Sequence, residues 1–317
     1  MRYLVTGGAG FIGSNFIRSL LGTDPEATVV SLDLLTYAGP KANIAELNRF
    51  DSHHFVHGDV ADETLVDSLM GDVDVVVNFA AESHVDRSIS GSRVFLRSNV
   101  VGTGVLLDAA CRHQVPTFIH VSTDEVYGPI VENAVDERGM LNPSSPYAAS
   151  KASADLVVAS YRHTYGYQAI VTRSSNNYGP YQHPEKLIPL AITRLLEGEP
   201  VPIYGDGAQQ RDWLWIEDHI AAIRLLIEKG TPGETYNIGT GTQTRNRDVA
   251  KRLIDLVGVG SIEHVTDRPG HDRRYAIDSS KLRALGWAPT VGLGEGLDRT
   301  LRWYRDHQEW WQPLVRR

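Results

Sequence analysis

The chain has 317 residues, 42% hydrophobic and 22% charged, and a formal net charge of −8. This suits a folded protein large enough to bury a core, and the acidic balance gives no support to nucleic-acid binding, which uses a basic patch. A single cysteine, Cys111, excludes an intramolecular disulfide, and its neighbours LLDAACRH predict a small buried apolar residue.

In chain order the first element is a strand, YLVTG. It opens the chain at once, leaving no room for a signal peptide. No apolar run approaches the ~18 residues of a membrane span, so the expected setting is the reducing cytoplasm. After Gly13 a helix presents Phe16, Ile17, Leu20 and Leu21 on one face. Strands follow at TVVSLD, HHFVHGD, VDVVVNFA, TFIHVS and QAIVTR, with helical patterns at Asp62–Met70, Asn99–His113 and Tyr147–Tyr165. Continuously apolar strands alternating with helices predict an α/β fold, a doubly wound parallel sheet covered on both faces. The paired His53–His54 have no third ligand at a metal-site spacing and read as a turn; no metal is expected.

Past Arg173, Pro, Gly and aromatic residues punctuate NNYGPYQHPEKLIP, VPIYGDGAQQRDWLW and RPGHDRRY. Helices are predicted at Leu187–Glu197, Ile216–Lys229 and Asn246–Val257, and ETYNIG, Glu234–Gly239, is a candidate to return to the sheet. The expected division is a sheet domain over 1–175 with a return at about 213–239. A smaller, interleaved C-terminal lobe takes 176–212 and 240–317. The tryptophans, Trp303, Trp310 and Trp311 among them, read as packing.

TGGAGFIGS spaces Gly7, Gly10 and Gly13 between the first strand and the first helix. Glycine there permits a tight turn and lets backbone amides approach a pyrophosphate at the helix N-terminus. Alone the motif is weak. The second strand, however, ends in Asp33, 20 residues beyond Gly13, where a carboxylate accepts hydrogen bonds from a ribose diol. That acid repels a 2′-phosphate, so NAD is expected over NADP. A third strand ends in Gly58-Asp59-Val60, placed to flank the adenine.

Two further stretches carry chemistry. Tyr147 and Lys151, in PYAASKASAD, share a helix face, so the ammonium is expected to sit near the phenol and favour a phenolate base. The bland alternative is an exposed helical Tyr and Lys. The strand TFIHVS ends in Thr123, Asp124 and Glu125, adjacent carboxyls that are either a solvated turn or helix cap, or an acid beside a base.

TGGAGFIGS, Asp33 and the Y-x-x-x-K pair resemble the extended short-chain dehydrogenase/reductases. AAESHVDRSI, STDEVYG, SNNYGPYQHPEKLIP, YGDGAQQRDWLW and DRPGHDRRYAID resemble, more narrowly, the dTDP-glucose 4,6-dehydratase family, from residue 5 to about 278. The resemblance implies a Rossmann sheet with tightly bound NAD that is regenerated in each turnover. It makes Tyr147 the base at the C4 hydroxyl, with Thr123 and Lys151 assisting, Glu125 the base at C5 and Asp124 the acid at the C6 hydroxyl. Cofactor contacts carried over besides the glycines are Phe11, Ile12, Asp33, Thr36, Asp59 and Val60, then Ala80, Ala81, Asn99 and Asn177. For the sugar nucleotide, Arg211 and Arg268 fall on the diphosphate with Asn246 and Tyr275 assisting. Asn176, Lys186, Leu187, Pro202 and Tyr204 fall on the nucleoside and its linkage, with Ser83 and His271 nearby. The resemblance also implies a homodimer through a four-helix interface, dTDP-glucose as the substrate, and no nucleic-acid or membrane partner. The alternatives are a UDP-sugar 4,6-dehydratase, a sugar-nucleotide 4-epimerase, which by resemblance lacks the acid pair, and an NAD-binding sensor.

Overall fold

Among residues 1–315, which the computed structural model describes, seven parallel strands form a central sheet. In chain order the strands are β1 (Arg2–Thr6), β2 (Thr28–Asp33), β3 (His53–His57), β4 (Val75–Asn78), β5 (Thr117–Thr123) and β6 (Ile170–Ser174). They continue as β7 (Asn176–Tyr178), β8 (Val201–Tyr204), β9 (Gln210–Trp215), β10 (Thr235–Ile238), β11 (Gln243–Arg245) and β12 (Ile262–Val265). The helices begin with α1 (Phe11–Thr23), α2 (Glu63–Leu69), α3 (Val85–Ser90), α4 (Ser92–Phe95), α5 (Gly102–Arg112) and α6 (Pro146–Tyr165). Then come α7 (Leu187–Leu196), α8 (Ile216–Lys229), α9 (Asn246–Val257), α10 (Ser280–Arg283), α11 (Leu293–Asp306) and α12 (Gln308–Val315).

The sheet runs β10-β6-β5-β4-β1-β2-β3. The chain starts at its centre, winds outward to β3, then crosses back to β4. The reversal between β1 and β4 is a topological switch point, where the strands' carboxyl ends open a crevice. Thr6 Oγ1 donates to Asn78 Oδ1 at 2.7 Å and ties those two ends together. Both sheet faces are covered, which is why all four residues of β4 are buried and why Phe16, Ile17, Leu20 and Leu21 of α1 vanish into the core. β10 pairs with β6 and so closes one edge of the sheet. Between β6 and β10 and again after β10 the chain builds a small sheet, β11-β9-β7, and a parallel pair, β8 with β12.

Four expectations need correction. His53 and His54 are not a turn: both lie in β3, and His53 is buried with Ser31 Oγ 2.8 Å from its Nε2. The helix expected from Asn99 begins at Ser92, continuing through a π-helical turn at Leu96–Val101. That rod, Ser92–Arg112, has 21 residues, and its most apolar 18-residue window has a mean hydropathy of 1.3, long and apolar enough to cross a membrane by length and composition alone. Counting unbroken apolar residues missed it because Arg and Asp interrupt the run; half of its most apolar window is buried inside the fold. Cys111 is half-exposed, because it sits where α5 turns its face outward.

Candidate active site

The glycine turn has its shape because side chains do not fit. Gly7 has φ +68°, and a Cβ there would stand 2.7 Å from the Ala80 nitrogen. A Cβ on Gly13 would stand 2.2 Å from the Gly7 carbonyl oxygen, so only glycine lets α1 begin this close to β1. Asp33 closes the turn from the side: Ala9 N–H donates to its Oδ2 at 2.9 Å and Leu35 N–H to its Oδ1 at 2.8 Å. Burial raises the Asp33 carboxyl despite those bonds. Phe11, Ile12, Thr36, Asp59, Val60, Ala80 and Ala81 line the same cleft, of about 1510 Å³ including its open mouth. Asn99 does not line it. It is fully buried beneath the wall, accepting from Glu82 N–H at 2.9 Å and donating to Ser150 Oγ at 2.8 Å. It therefore supports the β4 exit loop against α6 and does not face the cleft.

The cleft continues to the carboxyl end of β5. Thr123, the last residue of that strand, caps a 3₁₀ turn over Asp124–Tyr127, its hydroxyl accepting from Glu125 N–H at 3.3 Å. The segment is a helix cap, then, but not a solvated one. Asp124 is 2% exposed; its Oδ1 accepts from Thr123 Oγ1 at 3.3 Å, and its Oδ2 has no hydrogen-bond partner among the described residues. Burial, then the charges of Glu125 and Asp212, push the Asp124 carboxyl well above the usual range. Glu125 lines the open cleft; burial raises it too, but Arg211, Arg268 and Lys186 all pull against the rise. Both carboxyls are raised, Asp124 well above the usual range and Glu125 against the pull of three cations.

Tyr147 and Lys151 lie in the first turns of α6, whose start is set by Ser145 accepting from Ala148 N–H at 3.1 Å and by Pro146 just after it. Both side chains are buried and both line the cleft. Lys151 also has a backbone partner that its place on the helix did not announce. Lys151 Nζ donates to the Val121 carbonyl at 2.7 Å, an acceptor at the end of β5 that helix periodicity cannot reveal. Burial and then Glu125 raise the Tyr147 phenol, opposed by a hydrogen bond with Thr123. Burial lowers Lys151 to about 8, with Asp155 opposing.

Ser83, Asn176, Asn177 and Lys186 complete the cleft wall, and Lys186 Nζ donates to the Ser83 carbonyl at 2.8 Å. The Oδ1 atoms of Asn176 and Asn177 are buried with no partner among the described residues, as acceptors facing a ligand are. Beyond Glu125 lies a second group. Arg211 is buried, donates to the Asp272 carbonyl at 2.9 Å and lies 4.3 Å from the centre of the Tyr275 ring. Arg268 donates to Asp86 Oδ1 at 3.0 Å, and Tyr204 donates to Asp86 Oδ2 at 2.8 Å. His271 Nδ1 is 2.6 Å from Asp267 Oδ1 and its ring meets Tyr204 edge-on. Asn246 opens α9 with its Oδ1 buried and unpartnered among the described residues. Leu187 and Pro202 contribute apolar surface, at the start of α7 and inside β8. Sequence reasoning missed Glu82, Gln182 and Glu185 on the cleft wall, and Asp86 and Asp212 beside it. Asp86 was visible inside AAESHVDRSI; nothing local marked it as the partner of an arginine so far along the chain.

Residues 4–300 match the family described as GDP-mannose 4,6 dehydratase. The chain belongs to this family. Within it, the chain is 51% identical over its full length to a dTDP-glucose 4,6-dehydratase of Streptomyces antibioticus, covering 96% of that protein. It is 49% identical over 99% of its length to another from Streptomyces niveus, again covering 96% of the relative. It superposes on the crystal structure of DesIV, a dTDP-glucose 4,6-dehydratase from Streptomyces venezuelae with NAD and dTDP bound, with a TM-score of 0.97 at 50% identity. That match covers 99% of this chain and 100% of the other. The family resemblance drawn from the motifs is thus borne out, as is the doubly wound parallel sheet.

Proposed function

We propose that the chain is an NAD-dependent dTDP-glucose 4,6-dehydratase, a hydro-lyase that converts dTDP-glucose to dTDP-4-keto-6-deoxy-D-glucose and water. One observation carries this reading. Two adjacent carboxyls, one buried with its proton affinity strongly raised and one facing three cations, line the same cleft as Tyr147 and the glycine turn. An epimerase has no hydroxyl to expel and no use for an acid such as Asp124.

The glycine turn, with no room for a Cβ at Gly7, and the buried acceptor of Asn177 fit a dinucleotide, and Asp33 favours NAD. Bound NAD accepts a hydride from C4 and returns it to C6. Tyr147, hydrogen-bonded to Thr123, takes the C4 hydroxyl proton, and Lys151 brings its charge to the same end of β5. The C4 ketone acidifies the C5 proton, which Glu125 removes, while Asp124 protonates the departing C6 hydroxyl. Glu125 afterwards returns a proton to C5. Arg211 and Arg268 take the diphosphate, with Tyr275 and Asn246 assisting. Ser83, Asn176, Lys186, Leu187, Pro202, Tyr204 and His271 hold the rest of the sugar nucleotide.

We divide the chain as the sequence suggests, an NAD-binding part over 1–175 with the return at 213–239, and a sugar-nucleotide lobe over 176–212 and 240–317. Val94, Leu96 and Val101 on the Ser92–Arg112 rod and Leu156 on α6 are exposed apolar side chains, which supports a homodimer paired through these helices. A cytoplasmic setting agrees with the single free cysteine.

The test is to incubate the purified protein, without added NAD, with dTDP-glucose and separately with UDP-glucose. Loss of one water from the dTDP-sugar supports the reading, and loss from both widens the base preference. A galactose-configured product of unchanged mass would overturn it.

A further inference from the structure

We infer that the C-terminal helix α12 helps to retain the cofactor: Trp310 positions the glycine turn through Asn43. A chain of hydrogen bonds runs from this helix to the loop after β1. The Trp310 indole Nε1 donates to Asn43 Oδ1 at 2.9 Å, and Asn43 Nδ2 donates to the Ala9 carbonyl at 2.9 Å. Asn43 is 1% exposed, so losing either bond leaves a buried polar group unpaired. Ala9 sits in the middle of TGGAGFIGS, and its own N–H is already held by Asp33. The turn is thus gripped from both sides, by Asp33 at the nitrogen and by Asn43 at the carbonyl.

Helix α12, together with α11, also grips the segment that carries the opposite cleft wall. Tyr181, in the segment carrying Gln182 and Lys186, has φ +66°, a left-handed backbone that tyrosine rarely adopts. The Arg18 guanidinium lies 3.6 Å from its ring centre, and the rings of Trp303 and Trp310 lie 4.6 and 5.8 Å away. The Tyr181 hydroxyl donates to Glu46 at 2.9 Å, and Glu46 also pairs with Arg18. The Tyr304 hydroxyl donates to the Gln182 carbonyl, while Gln182 Nε2 donates to the Asn177 carbonyl at 2.8 Å. Strained backbone persists where its surroundings over-determine it, and here the surroundings are aromatic side chains of α11 and α12. One strap therefore sets the distance between the two walls that enclose the dinucleotide. Trp310 is not among the residues that line the cleft; it acts through Asn43 and is a positioning residue.

This inference rests on the proposed function for the cofactor alone, not for the sugar. Trp310→Phe keeps the ring packing and removes the N–H, whereas Asn43→Ala removes both bonds. Each protein is purified, its retained NAD is counted after acid release, and NAD dissociation is followed against a chase of labelled NAD, with no sugar present. Expected is roughly two- to tenfold faster release in each variant, the net worth of one or two hydrogen bonds. The double variant should release no faster than Asn43→Ala, because the two residues form one relay. Turnover lost in either variant should return with excess NAD. Wild-type release in Trp310→Phe, additive release in the double variant, or activity that excess NAD does not restore would each overturn the inference. Should Asn43→Ala fail to fold, Trp310→Phe decides alone. A chain that failed to dehydrate dTDP-glucose would still give a definite answer here, so the two readings fail separately.

Discussion

The two ends of the cleft are built on opposite principles. At the carboxyl end of β1 the structure removes side chains: Gly7 and Gly13 leave backbone exposed, and a Cβ on either would collide with main-chain atoms. At the carboxyl end of β5 it concentrates them, burying Thr123, Asp124, Tyr147 and Lys151 within one short stretch. The first end works by shape and is settled by residues a few positions apart. The second works by burial and charge, and part of the charge that acts on Asp124 and Glu125 comes from residues far along the chain, Asp212 for the one and Arg211, Arg268 and Lys186 for the other. Losing a side chain should therefore cost chemistry at the β5 end, and adding one should cost cofactor at the β1 end.

The largest effect is expected from Tyr147→Phe, which removes the hydroxyl we assign to the first proton transfer. Turnover should fall about 10²–10⁴-fold, and no NADH absorbance should develop on adding dTDP-glucose. Rapid appearance of NADH in that variant would move the base elsewhere. Asp124→Asn separates the steps further. Oxidation at C4 and exchange of the C5 proton with solvent should survive, while water loss slows roughly 10²-fold. Equal loss of both would mean that Asp124 serves the oxidation and not the departing hydroxyl.

Gly7→Ala tests the other end with no change in charge. The left-handed backbone costs an ordinary residue about 1–2 kcal/mol, and the new Cβ meets the Ala80 nitrogen. The variant should purify with much less NAD, yet keep the C5-exchange chemistry once NAD is supplied in excess. If excess NAD restored nothing, the glycine would be doing more than shaping the turn.

What the sequence disclosed follows the same divide. Gly7, Gly13 and Asp33 were legible because strand, turn and helix place them by local geometry, and the alternation of apolar strands with helices was enough for the sheet. The unequal acidity of Asp124 and Glu125 was not legible. It depends on Asp212 standing behind one and on Arg211, Arg268 and Lys186 facing the other, and no local pattern joins those positions. The burial of Asn99 was not legible either: it lies in the π-helical turn at Leu96–Val101 and accepts from Glu82 N–H beneath the wall. Periodicity puts Lys151 on the face of Tyr147 but says nothing of its hydrogen bond to the Val121 carbonyl.

The acid pair also predicts how stability answers to pH, the smallest effect and the most discriminating. In the folded protein burial and like charges raise Asp124 well above the usual carboxyl range, whereas in the unfolded chain it ionises normally. Between those two values the unfolded state has lost a proton that the folded state still holds. Stability therefore falls as pH rises through that window and is recovered below the unfolded value. Asparagine at 124 has no proton to lose and escapes the penalty. Asp124→Asn should melt higher than the wild type near neutral pH, with the gap narrowing as pH falls toward the ordinary aspartate range. Both proteins must carry the same NAD, since bound cofactor shifts melting by mass action. A variant that melts lower by the same margin at both ends of the pH range would show that the Thr123–Asp124 contact, and not the charge, decides stability there. The catalytic asymmetry of the pair would then need another source than burial.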